Sequence, residues 1–156
     1  MKNTTLCHIE YKDSVLMLYR NKKKSDVNEG KWIGVGGKFM ENESPEECVL
    51  REVCEETGII LDNLSYRGIV TFVCDKCEGE YMHIFTSKVS SEEFTPCTEG
   101  TLKWIKKSDI LSLNLWEGDR IFIKLLEDGE PFFSLKLVYT GDALTQAVLN
   151  GKDMAI

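Results

Sequence analysis

The alternation of apolar and polar residues predicts a chain built mostly from strands. Runs in which every second residue is apolar, bounded by turn-forming residues, are typical of half-buried strands. The last of these runs, Ala143–Leu149, also fits a helix, and that alternative stays open. The predicted strands are Thr5–Glu10, Ser14–Tyr19, Lys31–Val35, Tyr66–Val73, Tyr81–Lys88, Thr101–Ile105, Phe132–Tyr139 and Ala143–Leu149. Residues 74–80, with Gly79, have the turn chemistry that joins two strands in a hairpin.

Three segments are predicted to be helical instead. Glu117–Leu126 places its apolar residues on one face, and Lys107–Leu111 fits a short helical turn. Pro45–Thr57 is bounded by strong signals, because Ser44 and Glu47 form a capping-box pattern and Gly58 fits a left-handed C-terminal cap. Strands mixed with two substantial helices predict an α/β/α sandwich with a mixed central sheet. No repeat or linker interrupts the pattern, so we expect residues 1–156 to form a single domain.

The charge of the chain bears on its ligands. The net charge is −7 and the sequence pI is about 4.9, whereas a nucleic acid polymer normally binds to a basic surface. An acidic protein can still bind a small polyphosphate through divalent cations. Neither an apolar stretch of membrane-spanning length nor a signal-peptide pattern is present, so we expect no membrane partner and a cytoplasmic location.

The six cysteines predict free thiols, because the same lack of a signal peptide indicates a reducing compartment. Cys74 and Cys77 have the spacing of half a zinc site, but no second half is present at finger spacing. We favour the interpretation that these two residues flank a hairpin turn.

Three glutamates share one face of the predicted helix Pro45–Thr57. Glu52, Glu55 and Glu56 stand at positions i, i+3 and i+4. Their mutual repulsion would be relieved by a hard divalent cation such as Mg²⁺. Three glutamates alone would more often be a solvated acidic surface. The spacing of the surrounding residues decides between these interpretations.

Gly37, five residues, Glu43, seven residues and then Arg51-Glu52-Val53-Cys54-Glu55-Glu56-Thr57-Gly58-Ile59 match the signature GX5EX7REUXEEXGU, in which U is aliphatic. Through this segment the chain resembles the Nudix hydrolases. The resemblance implies the Nudix fold and Mg²⁺-dependent hydrolysis of a nucleoside diphosphate-type linkage, with Mn²⁺ as the alternative cation. It implies that Glu52, Glu55 and Glu56 are metal ligands.

Other residues take roles around this motif. Arg51 can pair with Glu43 and fix the geometry of the loop and helix. Gly36 and Gly37 let the backbone approach phosphate oxygens, with Lys38 as a phosphate contact. By its position before a strand, Glu99 resembles an additional family carboxylate that acts as metal ligand or general base. Arg20 and Lys23 could add positive charge near a triphosphate, although a solvated basic loop is the favoured interpretation of both residues.

From Thr5 to Leu149, with Trp32–Lys38, Glu99–Trp104 and Leu115–Asp119 as its more specific segments, the chain resembles the branch that hydrolyses oxidised purine nucleoside triphosphates. That resemblance implies that Trp116 stacks on the purine and Asp119 hydrogen-bonds to its edge; the alternative is that Trp116 is an ordinary core residue. Ile33 stands where animal members have Asn, and Gly118 where they have a second acidic residue. The predicted substrate is 8-oxo-dGTP, cleaved to the monophosphate and pyrophosphate in nucleotide-pool sanitisation and DNA repair.

The alternatives are another small nucleotide substrate, such as ADP-ribose or an ordinary NTP, and a non-catalytic nucleotide sensor. A sensor would normally have lost residues of the motif, and all of them are present here. We expect the protein to be a monomer or a homodimer.

Overall fold

The alternating segments form one mixed sheet. The computed structural model describes residues 1–22 and 26–156. In these residues the strands are β1 (Lys2–Tyr11), β2 (Ser14–Tyr19), β3 (Trp32–Ile33), β4 (Val35–Lys38), β5 (Ser65–Cys74), β6 (Glu80–Lys88), β7 (Thr101–Lys106), β8 (Phe133–Thr140), β9 (Ala143–Leu149) and β10 (Lys152–Asp153). The main path through the sheet is β10-β9-β8-β5-β6-β1-β2-β3, with β4 paired to β1 and β7 to β2. Strand β1 runs parallel to β6 and β5 parallel to β8, whereas the other pairs are antiparallel.

A helix covers each face of this sheet. The helices are α1 (Pro45–Thr57) and α2 (Glu117–Glu127), with a 3₁₀ helix at Lys107–Ser112. Successive strand residues point to opposite faces, so Leu16 packs in the core beneath α1 with Val53, while Met17 packs in the core beneath α2 with Phe122. The predicted α/β/α sandwich is confirmed. Within the described ranges, no helix has the length and apolar character needed to cross a membrane.

Helix α1 has the predicted bounds because both of its caps form. The Ser44 hydroxyl accepts a hydrogen bond from the Glu47 amide at 3.1 Å, and the Ser44 amide donates to the Glu47 carboxylate at 2.9 Å. Gly58 ends the helix with φ of 75°, a left-handed conformation that glycine adopts without steric cost. These caps fix which residues of α1 face the sheet.

The prediction of one strand at Lys31–Val35 is wrong in detail. The segment divides at Gly34 into β3, which pairs with β2, and β4, which pairs with β1. A Cβ atom at Gly34 would lie 2.8 Å from the Leu6 side chain, so the chain changes partner where only glycine fits. The strand interpretation of Ala143–Leu149 is confirmed over its helical alternative.

The expectation of free thiols is wrong for two cysteines. Cys74 and Cys77 form a disulfide across the end of the β5–β6 hairpin, whereas Cys7, Cys48, Cys54 and Cys97 are free. The turn brings the two Cα atoms to 5.5 Å, a separation that suits a disulfide. Their predicted position beside a hairpin turn is confirmed.

Candidate active site

Helix α1 packs its glutamate face against the glycine strand β4. Strand β1 lies beside β4, and Thr5 pairs with Gly37. A Cβ atom at Gly37 would collide with the Glu52 carboxylate, and one at Gly36 would collide with the Thr5 carbonyl oxygen. In the structure, therefore, these glycines let β1 and a helix carboxylate approach the β4 backbone. The approach of a phosphate, which the sequence suggested, stays a prediction.

Arg51 connects the helix to the preceding loop. Its guanidinium donates to both oxygens of Glu43, at 2.6 and 2.8 Å, and to the Lys38 carbonyl at 3.0 Å. The expected Arg51–Glu43 pair is thus present and bidentate, and it lowers the pKa of Glu43 to about 2. Arg51 also contacts Glu52 at 2.8 Å and Glu55 at 3.2 Å. It therefore bridges to the glutamate face, whereas the sequence interpretation placed it on the other side of the helix.

Glu56 is the most perturbed carboxylate of the helix. Its Oε2 atom is buried and has no hydrogen-bond partner. Burial, followed by the Glu52 and Glu99 carboxylates, raises the pKa of Glu56 to about 8, against the opposing effects of the Gly36 backbone and Arg20. A buried oxygen without a partner is costly for the fold. Such groups are commonly found at functional sites.

Glu99 reaches the same region from the loop before β7. Its carboxylate accepts from Arg20 at 3.3 Å, while Arg20 also pairs with Asp26 at 2.6 Å. Because the Glu99 charge raises the pKa of Glu56, the loop and helix carboxylates share one electrostatic environment. Arg20 thus stands beside the acidic cluster, where it offsets part of the charge.

The donor set fits a hard divalent cation. Glu52, Glu55, Glu56 and Glu99 supply only oxygen atoms, which suits Mg²⁺ or Mn²⁺, and the buried Glu56 Oε2 atom has no hydrogen-bond partner. Among the described residues, no three or more metal-ligand side chains are arranged so that they could hold a metal ion. Arg51 instead pairs with Glu52 and Glu55.

Trp116 lies at the start of α2, on the opposite face of the sheet from α1. Its indole N–H donates to the Asn28 side chain at 2.8 Å. The Lys31 ammonium lies 4.8 Å from the ring centroid, and the Tyr139 ring meets the indole edge-on at 5.8 Å. Phe72 continues the aromatic wall, 5.1 Å from Tyr139. Trp116 is half-buried, which leaves part of the ring accessible.

Asp119 follows one turn later on α2. Burial, followed by the Glu80 carboxylate, raises the pKa of Asp119 to about 7, and Lys31 acts in the opposite direction. Gly118 lies beneath it, where an added Cβ would stand 2.5 Å from Leu137 and 2.7 Å from the Tyr139 hydroxyl. That hydroxyl accepts the Gly118 amide hydrogen at 2.7 Å. The tight packing explains why position 118 carries no side chain.

The remaining predicted residues are Lys38 and Lys23. Lys38 ends β4 and is exposed, with its carbonyl bound by Arg51. Lys23 lies outside the described residues. Sequence reasoning missed Lys31, Glu80 and Tyr139, which approach the Trp116–Asp119 region from the residue before β3, from β6 and from β8. Strand alternation was the available signal, because Glu80 and Met82 share one face of β6.

Comparison with known proteins agrees with this geometry. The Nudix domain model matches residues 3–126. The Nudix hydrolase YvcI of Bacillus subtilis is 30% identical over 146 residues, with 90% of this chain and 88% of that protein covered. The oxidized purine nucleoside triphosphate hydrolase of Mus musculus is 31% identical over 111 residues, with 70% of this chain and 71% of that protein covered.

A solved structure extends the similarity to nearly the whole fold. The crystal structure of a mutator MutT protein from Bacillus halodurans aligns with a TM-score of 0.86 and 28% identity, with 97% of this chain and 99% of that chain covered. The capped helix, its glutamate face and the glycine strand thus lie in a chain that belongs to the Nudix family of hydrolases.

Proposed function

We propose that this enzyme hydrolyses 8-oxo-dGTP to 8-oxo-dGMP and pyrophosphate with the help of Mg²⁺. The observation that carries the proposal is the buried, unpartnered Glu56 oxygen beside Glu52 and Glu99, since this arrangement calls for a cation. Bound Mg²⁺ would neutralise phosphate charge and lower the pKa of a coordinated water. Glu52, Glu55, Glu56 and Glu99 would hold the ion, with Glu99 as either ligand or general base.

The other motif residues position this chemistry. Arg51 fixes Glu43 and the Lys38 carbonyl, and thereby the end of β4, relative to the helix. The β4 backbone and the Lys38 ammonium would contact the phosphates. Rigid placement of this kind matters because small displacements of reacting groups slow a reaction by orders of magnitude.

The assignment of an oxidised purine rests on the second region. Trp116 offers an aromatic surface for stacking and Asp119 a half-buried carboxyl group for the base edge. The mouse relative is named as a hydrolase of oxidized purine nucleoside triphosphates, which supports this choice. Strand β1 connects the glutamate site at β4 with the Trp116–Asp119 region. Its Thr5 pairs with Gly37, while the adjacent Thr4 hydroxyl donates to Glu80. A cytoplasmic location and a monomeric or homodimeric state stay predictions.

A nucleotide panel tests the substrate. The purified protein is assayed with 8-oxo-dGTP, dGTP, dATP and ADP-ribose at equal Mg²⁺ concentration. We expect the highest kcat/KM for 8-oxo-dGTP. A kcat/KM for dGTP that equals or exceeds it would contradict the proposal, and turnover of ADP-ribose to AMP and ribose phosphate would move the activity to a different nucleoside diphosphate linkage. Thermal stabilisation by nucleotides without turnover would identify a sensor.

A further inference from the structure

A second carboxylate lies in the region of Trp116 and Asp119, and it comes from the sheet. Glu80 is the first residue of β6 and is half-buried. Its side chain points to the α2 face, because Met82 and Ile84, at the alternate positions of β6, belong to the core beneath α2. Its strand neighbour is Phe72, whose ring joins Tyr139 and Trp116 in one aromatic wall.

Glu80 is held in place from one side. The Thr4 hydroxyl, itself buried, donates to Glu80 Oε2 at 2.5 Å. This bond uses one carboxylate oxygen and leaves Oε1 for another donor. The Glu80 charge is also felt at Asp119, whose pKa it raises. Helix α2 and strand β6 therefore each bring one carboxyl group to the same aromatic region.

We propose that Glu80 is a specificity-determining residue that accepts a hydrogen bond from the N7–H group of an 8-oxopurine. The inference rests on the proposed function, in which Trp116 stacks on the base and Asp119 hydrogen-bonds to its edge. An 8-oxopurine carries hydrogen on N7, whereas ordinary guanine has a lone pair there and is an acceptor. A carboxylate thus attracts the oxidised base and repels the normal one, so one residue serves both selection and rejection.

The test compares three triphosphates that differ at this edge: 8-oxo-dGTP, dGTP and 7-deaza-dGTP, which has C–H in place of the N7 lone pair. In the wild-type enzyme we expect kcat/KM to be highest for 8-oxo-dGTP and higher for 7-deaza-dGTP than for dGTP. Glu80→Gln presents either a donor or an acceptor to N7. It should lower the preference for 8-oxo-dGTP over dGTP by about tenfold to a hundredfold and abolish the advantage of 7-deaza-dGTP.

Two further variants separate recognition from folding. Thr4→Val removes the hydroxyl that holds Glu80 and should reduce the same preference through KM, with a smaller change in kcat. Glu78→Gln changes an exposed glutamate of the same hairpin and should leave all three values unchanged. Unfolding temperatures of the variants identify any loss of structure. If Glu80→Gln does not fold, kcat/KM for 7-deaza-dGTP relative to dGTP, measured in the wild type and in Thr4→Val, tests the role of Glu80 instead.

Binding without metal makes the inference independent of turnover. Calorimetry with 8-oxo-dGMP and dGMP should show tighter binding of the oxidised nucleotide to the wild type, and loss of that difference in Glu80→Gln. If the wild type hydrolyses 8-oxo-dGTP but Glu80→Gln keeps the same selectivity, the inference is wrong and the proposed function stands. If the wild type hydrolyses none of the nucleotides, the proposed function fails. Equal binding of the two monophosphates would then overturn the inference as well.

Discussion

Glu56 combines a cost to the fold with a proposed role in catalysis. Its buried oxygen has no partner, and the nearby Glu52 and Glu99 charges add repulsion. Above its pKa of about 8 Glu56 carries a charge, which Glu56→Gln removes while keeping the shape. We therefore expect a higher unfolding temperature above pH 8 together with a kcat lower by about a hundredfold or more. Thermal unfolding and steady-state turnover with Mg²⁺ measure the two effects.

Glu46→Gln is the matched control, because Glu46 is an exposed glutamate in the first turn of the same helix. It should change neither quantity appreciably. Retention of near-normal turnover by Glu56→Gln would contradict the role assigned to Glu56.

Arg51 acts through its geometry as well as its charge. It binds both oxygens of Glu43 and the Lys38 carbonyl with one planar group. Lysine keeps the charge but cannot form the bidentate pair. Arg51→Lys should therefore lower kcat by about tenfold to a hundredfold and lower the unfolding temperature. If Arg51→Lys kept the wild-type kcat, the positive charge at this position would suffice for activity without the bidentate pair.

At the scale of elements, α1 depends on its N-terminal cap. Ser44 and Glu47 satisfy each other's backbone amides. Ser44→Ala should lower the free energy of unfolding by about 1 kcal/mol, as measured by chemical denaturation. Ser65→Ala, at an exposed position at the start of β5, serves as the control and should have a much smaller effect. Equal losses in the two variants would exclude a specific role of the cap.

The elements also show which parts of the fold the sequence could predict. The bounds of α1 follow from signals within its own residues, namely the capping box and Gly58. Strands β3 and β4 divide at Gly34, where an added Cβ atom would meet Leu6, a residue distant in the sequence. The disulfide depends on how the hairpin turn places Cys74 and Cys77, while the choice between thiol and disulfide rested on an assumed compartment. Local signals thus predict elements, and contacts between elements decide the rest.

The site divides in the same way. The glutamate face was predictable because helical periodicity and the spacing of the motif lie within 23 residues, Gly37 to Ile59. Glu80 and Lys31 approach Asp119 only through the pairing of strands and the packing of α2. Strand alternation indicates which face of β6 Glu80 shares with Met82, but no local pattern predicts which distant segments meet on that face.

For the whole molecule, a buried histidine makes one contribution to the pH dependence of stability, and the raised pKa values of Glu56 and Asp119 act in the opposite direction. His8 is 2% exposed in the sheet, near Phe122. Burial, with smaller contributions from Lys107 and Arg67, lowers the pKa of His8 from 6.5 to about 4. Between these values the unfolded chain binds the proton and the folded chain does not. This contribution to stability is therefore complete above pH 6.5 and is lost as the pH falls towards 4.

The expected loss attributable to His8 is about 2 kcal/mol between pH 7 and pH 5. Denaturation curves at these two pH values measure it. His8→Gln does not titrate there, so the variant should gain about this amount of stability relative to the wild type between pH 7 and pH 5. His83→Gln is the comparison, because burial lowers the pKa of His83 as well, but in a less buried position. An unchanged pH dependence in His8→Gln would show that other groups control acid stability.

The central claim is that the carboxylates of α1 and the loop before β7 support hydrolysis of a nucleoside triphosphate to the monophosphate. Product analysis tests it most directly. The wild-type protein is incubated with 8-oxo-dGTP, with Mg²⁺ or with excess chelator, and the products are separated by chromatography. The account predicts 8-oxo-dGMP and pyrophosphate in equal amounts, and only with Mg²⁺. Release of 8-oxo-dGDP and orthophosphate, or equal turnover in the presence of the chelator, would contradict it.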